Sequence, residues 1–353
     1  MSTHDSATPH TPISVLGQLS IDEFLRDYWQ KKPLLIRNAW PNFIPLLPAD
    51  ELAGLSLEDD IETRLVVENG ESGSWQVKKG PFTESDYQAL PKDKWTLLVQ
   101  GVDQWLPQAA ALLDHFRFIP SWRLDDLMIS YAVDGGSVGP HYDQYDVFLL
   151  QAEGQREWRI GQSCNNNSPL LSGTDLRILA NFNETESWVL NPGDMLYLPP
   201  LWAHYGRSIG ECMTYSIGFR APSSGQLLER TVDAILPKIT EDSRYHDEDL
   251  TALEAGAEIS AKAIARLRKL IIEQLNDDQT LAQVLGQLLT EAKYPEYAPP
   301  APELNNNNIE PLAASMQGID TLTRSLQSRF AWHQQEDDIV FFTQGEAFHL
   351  SKS

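Results

Sequence analysis

The reading of this chain turns on "GPHYDQYDVFLLQAEGQREWRI", residues 139–160. His141 and Asp143 stand two apart at the head of an apolar run, and Arg156 lies in its continuation. On an extended strand, side chains two apart project to the same face. The imidazole and the carboxylate are therefore expected to point together, with Tyr142 turned away, as half of a metal site. A third ligand is expected from a later strand. "NPGDMLYLPPLWAHYGRS", residues 191–208, supplies His204 behind the tight turn Pro192-Gly193-Asp194.

The spacing of these residues is specific. Gly135, five residues, then His141 matches the first conserved box of cupins. Gly193, five residues, Pro199, four residues, then His204 matches the second, except that Leu201 stands where glycine is usual. Four-ligand cupins continue the first box as His-x-His with a Glu, whereas here it reads His-x-Asp, with Val147 near the Glu position. Two His and one carboxylate leave coordination positions open, the facial triad of non-heme Fe(II) oxygenases. A closed structural zinc site would want four ligands, usually including Cys.

Composition bounds the rest. The 353 residues are enough for two or three domains, and 42% are hydrophobic. No apolar run approaches the length of a membrane span, and the first twenty residues carry neither the basic nor the apolar region of a secretory signal. Two cysteines, Cys164 and Cys212, form no metal-ligand spacing and are expected as free thiols of a cytoplasmic protein. Fifty acidic against 27 basic residues give a net charge of −23. Such a field repels nucleic acid and anionic membranes and draws cationic partners, and it serves solubility as well.

Four stretches follow. Residues 1–12 are polar and expected to be disordered. "SIDEFLRDYWQKKPLLIRNAW" opens with Ser20 as a helix N-cap, Phe24, Leu25 and Tyr28 as an apolar stripe, then a short buried strand "PLLIRNA". From about 60 to 220, short strands separated by Gly, Pro and Asn turns predict an antiparallel sandwich or barrel. "DVFLLQ" and "REWRIG" are read as neighbouring strands across a turn at Glu153-Gly154. From 226 onward "GAEISAKAIARLRKLIIEQL" and "DQTLAQVLGQLLTEA" read as helices, with Ile264, Leu267, Ile271 and Ile272 apolar. "KYPEYAPPAPELNNNN" reads as a linker. The last fifty residues read as helices followed by two β-rich runs flanking a polar turn, a winged-helix-like end whose acidic turn argues against DNA binding.

"YWQKKPLLIRNA", "DDLMIS", "GGSVGPHYDQYDVFLLQ" with G-x-R-x-W, "PGDMLYLPPLWAH" and "YSIGFRAP" together resemble the bacterial ribosomal oxygenases of the JmjC class. The resemblance covers most of the chain, is most specific from about 120 to 222 and weakest over the last fifty residues. It implies an α+β protein with a double-stranded β-helix (cupin/JmjC jelly-roll) core over 13–222, a helical dimerisation region over 223–294 and a winged-helix-like domain over 295–353. It also implies hydroxylation of an arginyl residue in a basic large-subunit ribosomal protein, the sixteenth, by a homodimer. His141, Asp143 and His204 would then hold Fe(II), with 2-oxoglutarate and O2 as co-substrates. Arg156 with Ser130 would hold 2-oxoglutarate, since a bidentate guanidinium suits its distal carboxylate. Arg159 and Arg177 compete for that role, and the pattern alone leaves open whether Arg156 and Trp158 or Glu157 and Arg159 face inward. Asp134 is expected to pair with the substrate guanidinium, helped by Ser223 or Ser224, although Asp134 also suits an ordinary turn before Gly135. A related histidyl hydroxylase and a non-oxygenase metal-binding cupin are the alternative readings.

Overall fold

The computed structural model of the protein describes residues 14–69, 74–250, 258–295, 324–335 and 338–350. The expected disordered N-terminus and most of the expected linker lie outside these residues. The chain forms two compact units, one running to Ala221 and including residues 324–327, the other holding the remaining residues from Pro222 onward.

In the first unit, α1 (Ile21–Asp27), β1 (Leu34–Ile36), α2 (Ala49–Leu55), β2 (Thr63–Asn69), β3 (Ser74–Lys79), α3 (Glu84–Gln88), β4 (Trp95–Val99) and α4 (Pro107–Leu113) precede the strands of the jelly roll. Those are β5 (Leu124–Ala132), β6 (Val147–Ser163), β7 (Glu186–Leu190), β8 (Met195–Leu198) and β9 (Trp202–Phe219). All nine strands join in one sheet, ordered β1-β8-β6-β9-β5-β4-β2-β3 with β7 paired to β6, and every pairing is antiparallel.

Ser20 caps α1 as its sequence predicts. Its hydroxyl accepts from Glu23 N at 3.2 Å while Glu23 Oε2 accepts from Ser20 N at 2.9 Å, a capping box that satisfies two otherwise orphaned donors. The helix delivers Phe24, fully buried, into an aromatic cluster with Trp29, Phe148 and Tyr197. That cluster belongs to the main core, which covers one face of the sheet through Phe148 and Leu150 of β6, Met195 and Tyr197 of β8 and Met213, Tyr215 and Ile217 of β9. The opposite face of the same strands lines the interior of the roll, with Val147, Leu149, Trp158, Ile160, Leu196 and Leu198 packed together.

One expectation is corrected here. "DVFLLQ" and "REWRIG" are not neighbouring strands; they are the two halves of the single strand β6. Gly154 does not turn the chain back. It sits at φ +61° in a bulged stretch where the pairing with β9 slips between Gln151 and Glu153 and again between Glu153 and Gln155. A bulge accommodates the extra residue and bends the strand without ending it.

In the second unit, α5 (Ser224–Ile235), α6 (Ala261–Leu275) and α7 (Asp278–Thr290) precede a three-stranded antiparallel sheet of β10 (Phe330–Gln335), β11 (Asp338–Thr343) and β12 (Glu346–Leu350). The expected two β-rich runs are three strands, because "FFTQGEAFHL" turns at Gln344 and Gly345, both with positive φ (51° and 77°), the requirement of a two-residue hairpin turn. The helices and this sheet share one unit: α7 packs so tightly on β11 that a Cβ on Gly286 would lie 2.5 Å from the Phe342 ring. The expected boundary at 294/295 therefore falls inside this unit. No helix among the described residues is long and apolar enough to cross a membrane.

Candidate metal and co-substrate site

His141 and His204 face each other across a short antiparallel bridge, exchanging backbone hydrogen bonds of 3.0 and 2.8 Å. The His-x-Asp is thus not inside a regular strand, as the sequence suggested; it lies on an irregular segment before β6, held in register by this one bridge. The consequence expected of a strand still follows. His141 and Asp143 point the same way, and Tyr142 turns aside into a buried cluster with Cys164, Leu179 and Ala203, its hydroxyl donating to Asn165 O.

Asp143 Oδ2 lies 4.0 Å from His141 Nε2 and 3.6 Å from His204 Nε2. Each imidazole uses its other nitrogen on a carbonyl: His141 Nδ1 on Gly139 O and His204 Nδ1 on Trp202 O, both at 2.9 Å. A carbonyl accepts only from N–H, so each ring carries a proton on Nδ1 and turns its Nε2 toward the Asp143 carboxylate. Burial, reinforced by the neighbouring His141, pushes His204 down to about 4, so its ring is neutral at physiological pH. Two imidazole Nε2 atoms and a carboxylate oxygen converge. That donor set fits a divalent cation, and these three residues are the metal-capable cluster among the described residues.

Leu201 explains the departure from the second box. It adopts φ +67°, the conformation in which glycine is usual. Its N–H donates to Asp143 O at 2.8 Å and its carbonyl accepts from Cys164 N at 2.7 Å. The turn therefore keeps its glycine-like backbone, at a cost of about 1–2 kcal/mol, and uses it to fix the backbone of the carboxylate ligand.

The bulge in β6 decides which arginine enters the roll. Before it, Val147, Leu149 and Gln151 face inward, pairing with Gly218, Ser216 and Thr214 of β9. Uninterrupted alternation would next bring Glu153, Gln155, Glu157 and Arg159 inside. The slip reverses the parity, so Arg156, Trp158 and Ile160 pair with Ser208, Gly206 and His204 and share the inner face with the metal cluster. Arg156 is 3% exposed. Arg159 stays outside, bound to Glu157 at 2.7 Å, and Arg177 is occupied by the Tyr142 hydroxyl and ring.

Arg156 is a buried cation with no carboxylate within 4.0 Å among the described residues. Its Nη2 reaches Gly206 O at 3.4 Å, its guanidinium lies 5.0 Å from the centre of the Trp158 ring, and its Nε has no hydrogen-bond partner. Burial lowers its pKa, with the Cys212 thiol as neighbour. A buried charge left without a counter-charge marks a place for an anion. Ser130 reaches the same face from β5, on the other side of β9, its hydroxyl now donating to Thr214 O at 3.3 Å.

The expected substrate contacts fall in different units. Asp134 lies in the turn after β5, where its Oδ1 accepts from Gly210 N at 2.7 Å. Ser223 is the N-cap of α5, accepting from Gln226 N, and Ser224 is that helix's first residue; both belong to the second unit. Sequence reasoning missed Gly206, where a Cβ would come within 2.7 Å of Arg156 Nε and 2.6 Å of the Trp158 ring. A glycine inside an apolar strand was its only signal, the usual mark of close approach. Cys212, beside Arg156, gave none.

Comparison with known proteins bears on this geometry. Residues 111–227 match the JmjC domain family and residues 273–353 match the ROXA-like winged helix, a span that begins before α7. The chain is 37% identical over 292 residues to the ribosomal protein uL16 3-hydroxylase of Escherichia coli K12, covering 82% of this chain and 77% of that protein. It is 43% identical over 207 residues to a probable ribosomal oxygenase of Haemophilus influenzae, covering 58% of this chain and 51% of that one. The solved structure of YcfD, a ribosomal oxygenase from Escherichia coli, in complex with cobalt and 2-oxoglutarate superposes with a TM-score of 0.77 at 35% identity, covering 94% of this chain and 86% of that one. The chain thus belongs to the JmjC-domain ribosomal oxygenases.

Proposed function

We propose that the protein is an Fe(II)- and 2-oxoglutarate-dependent oxygenase that hydroxylates an arginyl residue of the large-subunit ribosomal protein uL16. The carrying observation is one inner face of β6 and β9 that presents an open His-Asp-His cluster and, along the same strands, a buried cation without a counter-charge. His141 Nε2, His204 Nε2 and Asp143 Oδ2 would hold the iron, and Arg156 the distal carboxylate of 2-oxoglutarate, with Ser130 turning its hydroxyl to the same group. When bound, iron, 2-oxoglutarate and O2 supply oxidation of an unactivated carbon coupled to release of succinate and CO2. The chain's own residues do the rest: the carbonyls of Gly139 and Trp202 orient both rings, Leu201 N fixes the backbone of Asp143, and Trp158 and Ile160 line a water-poor wall.

The charge of −23 suits a basic protein substrate met in the cytoplasm. Asp134 offers its second oxygen to the substrate guanidinium. A second copy of the chain covers α6, which buries none of its own residues and leaves Ile264, Leu267, Ile271 and Ile272 at 44, 44, 52 and 55% exposure.

Anaerobic loading with Fe(II) and 2-oxoglutarate, then exposure to air with basic ribosomal-protein peptides, tests the reading by mass spectrometry. One added oxygen on an arginyl residue, lost in His141→Ala, is expected. Oxygen on a histidyl residue would move the protein to the histidyl hydroxylases. Absence of any 2-oxoglutarate turnover would leave a metal-binding cupin. Asp134→Ala with unchanged kcat/KM would remove Asp134 from substrate recognition.

A further inference from the structure

We propose that Asp146 is a positioning residue for the metal site, tying the segment that carries Asp143 to the N-terminal arm through Gln30. The inference rests on the metal-site reading above.

Asp146 is fully buried, three residues after Asp143 and one before β6. Its carboxylate collects donors from three distant parts of the chain. Tyr197 OH on β8 donates to Oδ1 at 2.6 Å; Gln30 Nε2, from the turn after α1, donates to Oδ2 at 3.0 Å; and Arg123 Nη2, just before β5, reaches the same oxygen at 3.3 Å. The backbone N–H of Gln30, held at φ +57°, donates to Tyr197 OH at 2.7 Å, closing a ring of Gln30, Tyr197 and Asp146. The Asp146 carbonyl accepts from Phe219 N at 3.1 Å.

The segment 141–146 is therefore pinned at both ends. The bridge to His204 and the Leu201 N–H fix its start, and Asp146 fixes its finish. Between them Gln144 and Tyr145 are exposed. The rotation of Asp143 toward the two Nε2 atoms then depends on both pins, the Leu201 N–H on its own carbonyl and Asp146 three residues on. Outer groups that orient a metal ligand commonly change affinity by about ten- to a hundredfold when removed.

Asp146→Asn is the sharp perturbation because it keeps the shape and removes one acceptor. Gln30 Nε2 and Arg123 can only donate, and Tyr197 OH already accepts from Gln30, so an amide NH2 in that pocket meets a donor on one side. The test uses the full chain without co-substrate and titrates Co(II), reading both the Kd and the visible absorption bands that report ligand geometry. Wild type should bind with a defined spectrum. Asp146→Asn should weaken Co(II) about tenfold and shift the bands, and Gln30→Ala, a milder change at an exposed residue, should move both in the same direction. A variant with lowered Tm but unchanged Kd and bands would show Asp146 to be only structural and overturn the proposal. If Asp146→Asn does not fold, Gln30→Ala decides alone, and an unchanged spectrum in it overturns the proposal. Failure of wild type to bind Co(II) would instead refute the metal-site reading, and this inference with it.

Discussion

Replacing Arg156 by Met separates a co-substrate clamp from a structural brace. Methionine follows the same path through the roll without the charge, so packing over Gly206 and Trp158 is largely kept. Without co-substrate Arg156 is 3% exposed, has no carboxylate within 4.0 Å among the described residues and leaves Nε unbonded. Its removal relieves an uncompensated burial, and the co-substrate-free Tm should stay level or rise. With 2-oxoglutarate the sign reverses. Two charge-assisted hydrogen bonds of about 1.5–3 kcal/mol each amount to about 3–6 kcal/mol. At about 1.4 kcal/mol per decade the affinity should fall about a hundredfold to ten-thousandfold. Calorimetric titration of 2-oxoglutarate into the Mn(II)-loaded protein, beside thermal melts with and without co-substrate, measures both halves. Binding within threefold of wild type would refute the clamp. A Tm drop of the size of a core deletion in the co-substrate-free protein would show that Arg156 is a brace instead.

Gly206→Ala should push a methyl into Arg156 and the Trp158 ring, lowering Tm by the equivalent of about 1–3 kcal/mol and weakening 2-oxoglutarate while leaving Co(II) affinity near wild type; loss of metal binding instead would contradict the inner-face geometry. His204 should make the metal-free protein acid-sensitive. Its pKa falls from 6.5 unfolded to about 4 folded, so in that window the unfolded chain takes a proton the folded one refuses. The His204 contribution is complete above pH 6.5 and is lost as pH falls toward 4, by about 3 kcal/mol in all. Urea midpoints in chelator should show wild type losing more than His204→Gln across that range, and parallel curves would exclude the effect. Leu267→Glu with Ile271→Glu should turn a dimer into a monomer in sedimentation velocity, and a monomeric wild type at micromolar concentration would remove the dimer altogether.

The His-Asp-His cluster was legible in the sequence because each part is fixed by local rules. A two-residue spacing sets a shared direction for His141 and Asp143, and a Gly-to-Pro-to-His spacing sets the turn and reach of His204. The capping box at Ser20 and Glu23 is equally local. The inward arginine was not legible. Counting by twos from Val147 leads to Arg159, and Arg156 enters only because β6 slips against β9 around Gly154, a pairing between segments some fifty residues apart. Leu201 hid a glycine-like turn behind a residue that rarely adopts one. Asp146 read as one more acid in an acidic chain until Gln30, Arg123 and Tyr197 were brought to it. Sequence by itself therefore determined which residues can bind metal, since that depends on side-chain chemistry and short spacing. Tertiary structure alone decided which face each strand turns inward and which charges are left unpaired, because both follow from register and burial that distant strands impose.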